Sequence, residues 1–142
     1  MKYTLIAIFG FGILACSPGA QAETITAQCA SSSIVGGDKT SCAAYKIYAF
    51  SSEGPGIRHY VRLRAPRTHC SDVMYTISSG DGARFLGHTE FLQPGRTQAV
   101  EVGDNLEAGD QVVQIRATGK IGGCNTGVMQ SWAVEITSGI VH

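Results

Sequence analysis

Signatures of catalysis and of metal binding are scarce in this sequence. It contains no G-x-S-x-G nucleophile elbow, no H-E-x-x-H motif and no C-x-x-C pair. Asp104, Asn105 and Asp110 offer oxygen ligands, but too few for a calcium cage, and solvated turns explain them better. Because no motif gathers a nucleophile with a base, we expect a protein that is not an enzyme and holds no cofactor or metal.

A net excess of charge is also lacking. The chain has 11 Lys and Arg against 11 Asp and Glu, so its formal net charge is zero with neutral histidines. Binding to nucleic acid requires a clear basic excess to neutralise phosphates, and we therefore exclude that partner. Any recognition driven by charge must be confined to one local surface.

Apolar runs of membrane-spanning length are missing. The one long apolar run, residues 3–14, follows Lys2 and is shorter than the roughly 20 residues that a transmembrane helix requires. A Ser-Pro-Gly break and the sequence AQA at residues 20–22 follow it, which is the pattern of a cleaved signal peptide. We predict a signal peptide at residues 1–22 and one domain at residues 23–142, periplasmic or secreted, from a bacterial cell. No membrane span is expected.

The same segment allows a second interpretation. Residues 13–16, ILAC, resemble a bacterial lipobox, in which Cys16 is acylated and becomes the new N-terminus. The helix break and the AQA sequence favour ordinary cleavage. The alternative localisation is therefore an outer-membrane lipoprotein with a lipid anchor at Cys16.

The cysteine count predicts two disulfides. Either fate of Cys16 leaves four cysteines, an even number in an exported chain. They allow three pairings. We favour Cys29–Cys42, which closes a short loop rich in Ser and Gly, and Cys70–Cys124, which ties a middle strand to a late one.

Helical periodicity is nearly absent, while apolar and polar residues alternate in many short segments. Turns that contain Gly or Pro separate these segments, for example SEGPG at 52–56 and SGDG at 79–82. About eight short strands at this spacing predict an all-β fold, a small disulfide-bonded β-sandwich or jelly roll. The alternating segments are residues 42–50, 58–65, 72–78, 83–86, 98–102, 111–117 and 129–137.

One segment, IRHYVRLR at residues 57–64, is unusually basic. If Val61 and Leu63 face the core, the alternating positions present guanidinium groups and a tyrosine ring on the other face. Such a face suits the sulfate or carboxylate groups of an anionic glycan, or an acidic partner protein. The competing interpretation is the solvated face of an edge strand, neutralised by acidic residues later in the chain. The predicted ligand-binding residues are Arg58, Tyr60, Arg62 and Arg64.

A glycine-rich loop at residues 78–85 is the second candidate, and for the binding hypothesis we place its Asp81 and Arg84 at the rim of the basic face. The sequence GARF at 82–85, with Phe91-Leu92 and Pro94-Gly95 beyond it, resembles the inhibitory loop of bacterial periplasmic c-type lysozyme inhibitors. The resemblance implies an inhibitor that inserts this loop into an enzyme cleft. A plain hairpin turn is the simpler interpretation of the same residues.

The remaining aromatic and histidine residues divide into core and surface. Trp132 alternates in phase with apolar neighbours, and His59 shares the phase of Val61, so we expect both in the core. Tyr48 and Phe50 share the phase of Lys46. That phase predicts an exposed aromatic patch.

Together these features predict an exported binding protein without catalytic activity. Its partner would be an anionic glycan or a protein of the envelope or extracellular space, held by the Arg and Tyr side chains of residues 58–64. The alternatives are a loop-acting inhibitor of a hydrolase such as lysozyme, and a structural subunit of a surface appendage whose edge strands pair between copies. A hydrolase with paired carboxylates is the enzymatic alternative.

Overall fold

The computed structural model describes residues 22–141, which form nine β-strands and no helix. The predicted signal sequence up to residue 21, with Cys16, lies outside the described residues. The strands are β1 (Glu23–Gln28), β2 (Ser32–Val35), β3 (Lys39–Ser52), β4 (Arg58–Arg64), β5 (Val73–Ser79), β6 (Phe85–His88), β7 (Thr97–Gly103), β8 (Gly109–Lys120) and β9 (Ser131–Val141). The predicted all-β class is confirmed, and the seven alternating segments each overlap one strand.

Two antiparallel sheets make up the sandwich. The four-stranded sheet has the order β1-β9-β4-β7, and the five-stranded sheet has the order β2-β3-β8-β5-β6. Apolar side chains from the inner face of each sheet form one core, which excludes water and supplies the main stabilising free energy. Its largest fully buried members are Trp132, Tyr75, Leu63, Ile77, Ile115 and Ile136.

β4 confirms which of its two faces the alternation in the basic segment assigns to the core. Val61 and Leu63 are 0% exposed, while Arg58 and Arg62 are exposed on the opposite face. The strand pairs with β9 on one side and with β7 on the other, so it is an inner strand of its sheet. The interpretation as an edge strand is therefore wrong, and protection of a free sheet edge does not account for the arginines.

The expected exposure of Tyr48 and Phe50 is also wrong. Both side chains are buried, and their rings stack with centroids 6.3 Å apart. Lys46, which shares their phase, is exposed and follows an irregularity in the register between β3 and β8. The exposed aromatic side chain of this strand is Tyr45, with Ile47 beside it on the outer face.

Both predicted disulfides are present. Cys29 and Cys42 join the end of β1 to β3, so this bond connects the two sheets, with 5.5 Å between their Cα atoms. Cys70 and Cys124 join the β4–β5 connection to the β8–β9 connection, with 5.6 Å between their Cα atoms. Two such bonds indicate an oxidising compartment.

Within residues 22–141, no helix is long and apolar enough to cross a membrane. Nor do three or more His, Cys, Asp or Glu side chains gather there in a group that could hold a metal ion.

Candidate functional site

The four predicted residues on β4 lie on the outer face of the four-stranded sheet; we call Arg58, Tyr60, Arg62 and Arg64 the arginine row. Alternate residues of a strand lie about 6.6–7 Å apart along the same face. Arg58 and Arg62 are exposed, whereas Tyr60 and Arg64 are half-buried. The structure therefore brings the row together as one linear array.

Arg64 is neutralised by a neighbouring strand. Its Nη1 lies 3.1 Å from Oε2 of Glu135, which is directly opposite on β9. Its Nε also donates a hydrogen bond to the backbone oxygen of Gly95 at 3.4 Å. A half-exposed ion pair of this kind contributes only about 0–1 kcal/mol to stability, but it fixes the direction of the guanidinium group.

Arg58 lies beside a second carboxylate. The hydroxyl of Tyr60 donates to Oε2 of Glu101 at 3.4 Å, and Glu101 is opposite Tyr60 on β7. The hydrogen bond with Tyr60 and then the charge of Glu101 raise the pKa of Arg58 above its ordinary value. Two of the three guanidinium groups therefore have an acidic neighbour.

Arg62 is the exception. Its neighbours across the sheet are Ala99 on β7 and Thr137 on β9, and neither carries a charge. Among the described residues, the ion pair within 4.0 Å is the one between Arg64 and Glu135. Arg62 therefore has no ion-pair partner among those residues. A groove of about 270 Å³ beside Arg62 is lined by Tyr60, by Ala99 on β7 and by residues 137–141 of β9. The groove leaves the guanidinium group accessible to a ligand.

The loop residues Asp81 and Arg84 form a rigid turn. Oδ1 of Asp81 accepts a hydrogen bond from Oγ of Ser79 at 2.5 Å and another from the backbone N–H of Ala83 at 3.0 Å. The bond from Ser79 is the main reason why the pKa of Asp81 lies below its ordinary value. Nε2 of Gln114 donates to the backbone oxygen of Gly80 at 3.0 Å, which holds the loop against β8.

The structure does not place this loop in the groove of Arg62. Asp81 and Arg84 line a different groove of about 290 Å³, between the β5–β6 loop and β8. Arg84 also lines a third groove of about 440 Å³ together with Glu101, the residue that accepts the hydrogen bond of Tyr60. The loop therefore approaches the Arg58 end of the row across β7, and Asp81 and Arg84 remain predicted rather than demonstrated members of the site.

A larger cavity, which the sequence analysis did not single out, opens at the other end of the sandwich. Its volume is about 680 Å³, and the Cys70–Cys124 disulfide forms part of its wall. We call it the disulfide cavity. The available signal in the sequence was the polar character of the residues around the two cysteines, THCSD at 68–72 and CNTG at 124–127. Pairing of those cysteines necessarily brings the two polar segments together.

Two rings that contain nitrogen line the disulfide cavity, the half-buried His69 and the buried Trp132. Nε2 of His69 accepts a hydrogen bond from the backbone N–H of Ala133 at 3.1 Å, and burial lowers the pKa of His69. The imidazole is therefore neutral at pH 7 and carries its proton on Nδ1. Trp132 is 1% exposed, as predicted, and its Nε1 has no hydrogen-bond partner among the described residues.

No family model matches the chain, and no curated protein matches it. Similar solved structures include infectious bursal disease virus Gx strain, at 12% identity and a TM-score of 0.33 over 99% of this chain. The virus's VP2 subviral particle has 14% identity and a TM-score of 0.35 over 96%. A structure of carbohydrate-binding modules from the β-sandwich superfamily has 8% identity and a TM-score of 0.35 over 85%.

The chain spans only part of those structures. It covers 37% of each of these two viral chains and 54% of the carbohydrate-binding chain. At these identities and TM-scores, the similarities do not identify a family or a function.

Proposed function

We propose that this protein is an exported binding protein without catalytic activity, and that it recognises an anionic glycan through the arginine row. The observation that carries the proposal is the state of Arg62. It is exposed, it lies beside a groove, and it has no ion-pair partner among the described residues. An anionic ligand would supply the missing countercharge.

The chemistry of the row fits a carboxylate or sulfate group on a sugar. A guanidinium group can bind either anion with two parallel N–H donors, and each charge-assisted hydrogen bond contributes about 1.5–3 kcal/mol. The ring of Tyr60 lines the same groove and offers an apolar surface for the face of a sugar ring. Two classes of contact would therefore act within one groove.

Rigidity of the sheet supports the same function. Val61 and Leu63 anchor β4 in the core on both sides of Arg62, and strands on both sides hold its backbone. The ion pair of Arg64 with Glu135 fixes the next member of the row. Because these side chains are held before the ligand arrives, binding costs less conformational entropy.

The test is a binding measurement with Arg62→Ala. We expect the wild-type chain to bind a uronate or sulfated oligosaccharide on a glycan array, and the variant to bind at least about tenfold more weakly by calorimetry. Arg116→Ala is the matched control, because Arg116 is exposed on an inner strand of the other sheet. Equal binding by wild type and a folded Arg62→Ala variant would overturn the proposal, as would an equal loss in the control.

A second candidate is recognition of a protein through the β5–β6 loop. Phe85 is 60% exposed next to Arg84, at the end of a loop that internal hydrogen bonds hold rigid. An inhibitor of a hydrolase would insert these two side chains into the enzyme cleft. Inhibition of lysozyme by the wild-type chain, lost in Arg84→Ala with Phe85→Ala, would establish this candidate, and absence of inhibition by the wild type would remove it.

A further inference from the structure

The lining of the disulfide cavity is polar but almost uncharged. Asp72 is its one carboxylate, and no Lys or Arg belongs to the described residues that line it. Its lining includes the buried residues Val73, Met129 and Trp132 together with exposed side chains. Polar side chains of the lining that offer hydroxyl or amide groups include Gln28, Thr68, Ser71, Thr126, Gln130 and Ser131.

Trp132, one of the lining residues, carries a donor without an acceptor. Its Nε1 is buried and has no hydrogen-bond partner among residues 22–141, which is a costly state for a polar group. The two other unpartnered buried atoms belong to His59 and Gln114, and neither residue lines this cavity. His69 adds a second N–H donor from the wall, because its Nε2 is already occupied.

The outer face of β9 connects this cavity to the groove of Arg62. Ser131 and Ala133 line the cavity, and Thr137 and Gly139 line the groove. Alternate residues of one strand share a face, so the two sites lie on one line about 13 Å apart, measured from Ala133 to Thr137 with the strand rise. Between them lies Glu135, whose charge Arg64 neutralises.

We infer that the disulfide cavity is a binding site for a neutral sugar residue of the same glycan chain that Arg62 holds by an anionic residue. Hydroxyl and amide groups of the lining would hydrogen-bond the sugar hydroxyls, and its apolar side chains would contact the sugar ring. The ligand is then an extended chain that contains both anionic and neutral sugars. This inference rests on the proposed function for the identity of the ligand as a glycan.

The experiment uses nuclear magnetic resonance of the ¹⁵N-labelled chain with both disulfides formed. Trp132 is the single tryptophan of the sequence, so its indole N–H gives one unique signal from a residue that lines the cavity. The probes are a disaccharide and an octasaccharide of hyaluronan, in which glucuronate alternates with N-acetylglucosamine. We expect the octasaccharide to shift the Trp132 signal and the disaccharide to leave it in place, while both perturb the Nε–H of Arg62.

Substitutions at each site measure how much that site contributes to the binding affinity. Gln28→Ala with Gln130→Ala should weaken octasaccharide binding by about tenfold, the loss of one or two hydrogen bonds, and leave the disaccharide affinity unchanged. Arg62→Ala should weaken binding of both probes. Gln93→Ala is the matched control, because Gln93 is exposed and lines none of the grooves described above.

The outcomes separate the two proposals. If the octasaccharide leaves Trp132 unshifted while Arg62→Ala weakens its binding, the cavity site is overturned and the proposed function stands. If Trp132 shifts but Arg62→Ala binds as well as wild type, the cavity stands as a sugar site, and both the arginine row and the chain shared with Arg62 are overturned. If neither probe perturbs Trp132 or Arg62, the inference fails, and the glycan array with Arg62→Ala decides the proposed function alone.

Discussion

Arg62 and Arg64 show how far two identical residues on one face can differ. They are neighbours in the arginine row, but Arg64 is opposite Glu135 and Arg62 is opposite Thr137. The first guanidinium group has an ion-pair partner in the chain, and the second has none within 4.0 Å among the described residues. Within the row, the identity of the cross-strand neighbour thus determines which arginine is available for a ligand.

His69 carries a prediction about pH. Burial lowers its pKa in the folded chain below the ordinary value of 6.5, and its Nε2 accepts a hydrogen bond that a protonated ring cannot accept. Below about pH 6.5 the unfolded chain therefore binds a proton that the folded chain resists, and the free energy of unfolding falls as the pH decreases. We expect a lower Tm at pH 5.5 than at pH 7.5 in thermal unfolding.

The control for this prediction is His69→Gln, whose amide oxygen can accept the same hydrogen bond without titrating. The variant should lose the part of the Tm change that falls between pH 5.5 and 7.5. An unchanged pH dependence in His69→Gln would show that another group is responsible.

Among the strands, position in the sheet matters as much as composition. β4 is basic and yet lies inside its sheet. Its backbone pairs with both neighbouring strands and its buried alternate residues pack into the core, so the charges on its outer face are compatible with this position. The wrong prediction for β3 has a related cause. Apolar residues occupy both faces of this strand, so alternation alone does not show which face is buried. Tyr48 is buried and Tyr45 is exposed because the facing sheet covers only one side.

The junction of β6 with β7 gives a prediction at the same scale. β6 belongs to one sheet and β7 to the other, and a Cβ atom added at Gly87 would lie 2.6 Å from Cγ1 of Val100. Gly87→Ala should therefore lower the free energy of unfolding by about 1–3 kcal/mol through overpacking. The measurement is urea unfolding followed by circular dichroism.

Gly139→Ala is the control for that substitution. A Cβ atom at Gly139 on β9 meets nothing within 4 Å, so its effect on the free energy of unfolding should stay within about 0.5 kcal/mol. Similar effects of both substitutions would contradict the close contact between β6 and β7.

For the molecule as a whole, the two disulfides act over different ranges of sequence. Cys29 and Cys42 are 13 residues apart, and Cys70 and Cys124 are 54 residues apart. A longer closed loop removes more conformational entropy from the unfolded chain. The second bond also holds together the two connections that form the wall of the disulfide cavity.

Removal of each disulfide should therefore lower the free energy of unfolding by a different amount. Replacing Cys29 and Cys42 by Ser should lower the free energy of unfolding by about 3 kcal/mol, and replacing Cys70 and Cys124 by about 4 kcal/mol. Urea unfolding of the two double variants measures both values. A larger loss from the shorter loop would show that strain or residual structure outweighs chain entropy.

Alternation along single strands determined much of this protein without reference to the rest of the chain. It identified the all-β class, the burial of Val61, Leu63, His59 and Trp132, and the outward face of the arginine row, because a strand turns successive side chains to opposite sides. β1 and β2 were missed, since both are short and contain few large apolar residues. Cysteine spacing identified the disulfides.

Tertiary structure alone decided which side chains meet. The pairing of Arg64 with Glu135, 71 residues later, and the neutral neighbours of Arg62 follow from the strand order β9-β4-β7. The disulfide cavity likewise joins segments that are some 50 residues apart in sequence. Local patterns encode the direction of each side chain, but the charge balance and the cavities depend on contacts between distant strands, which no local pattern contains.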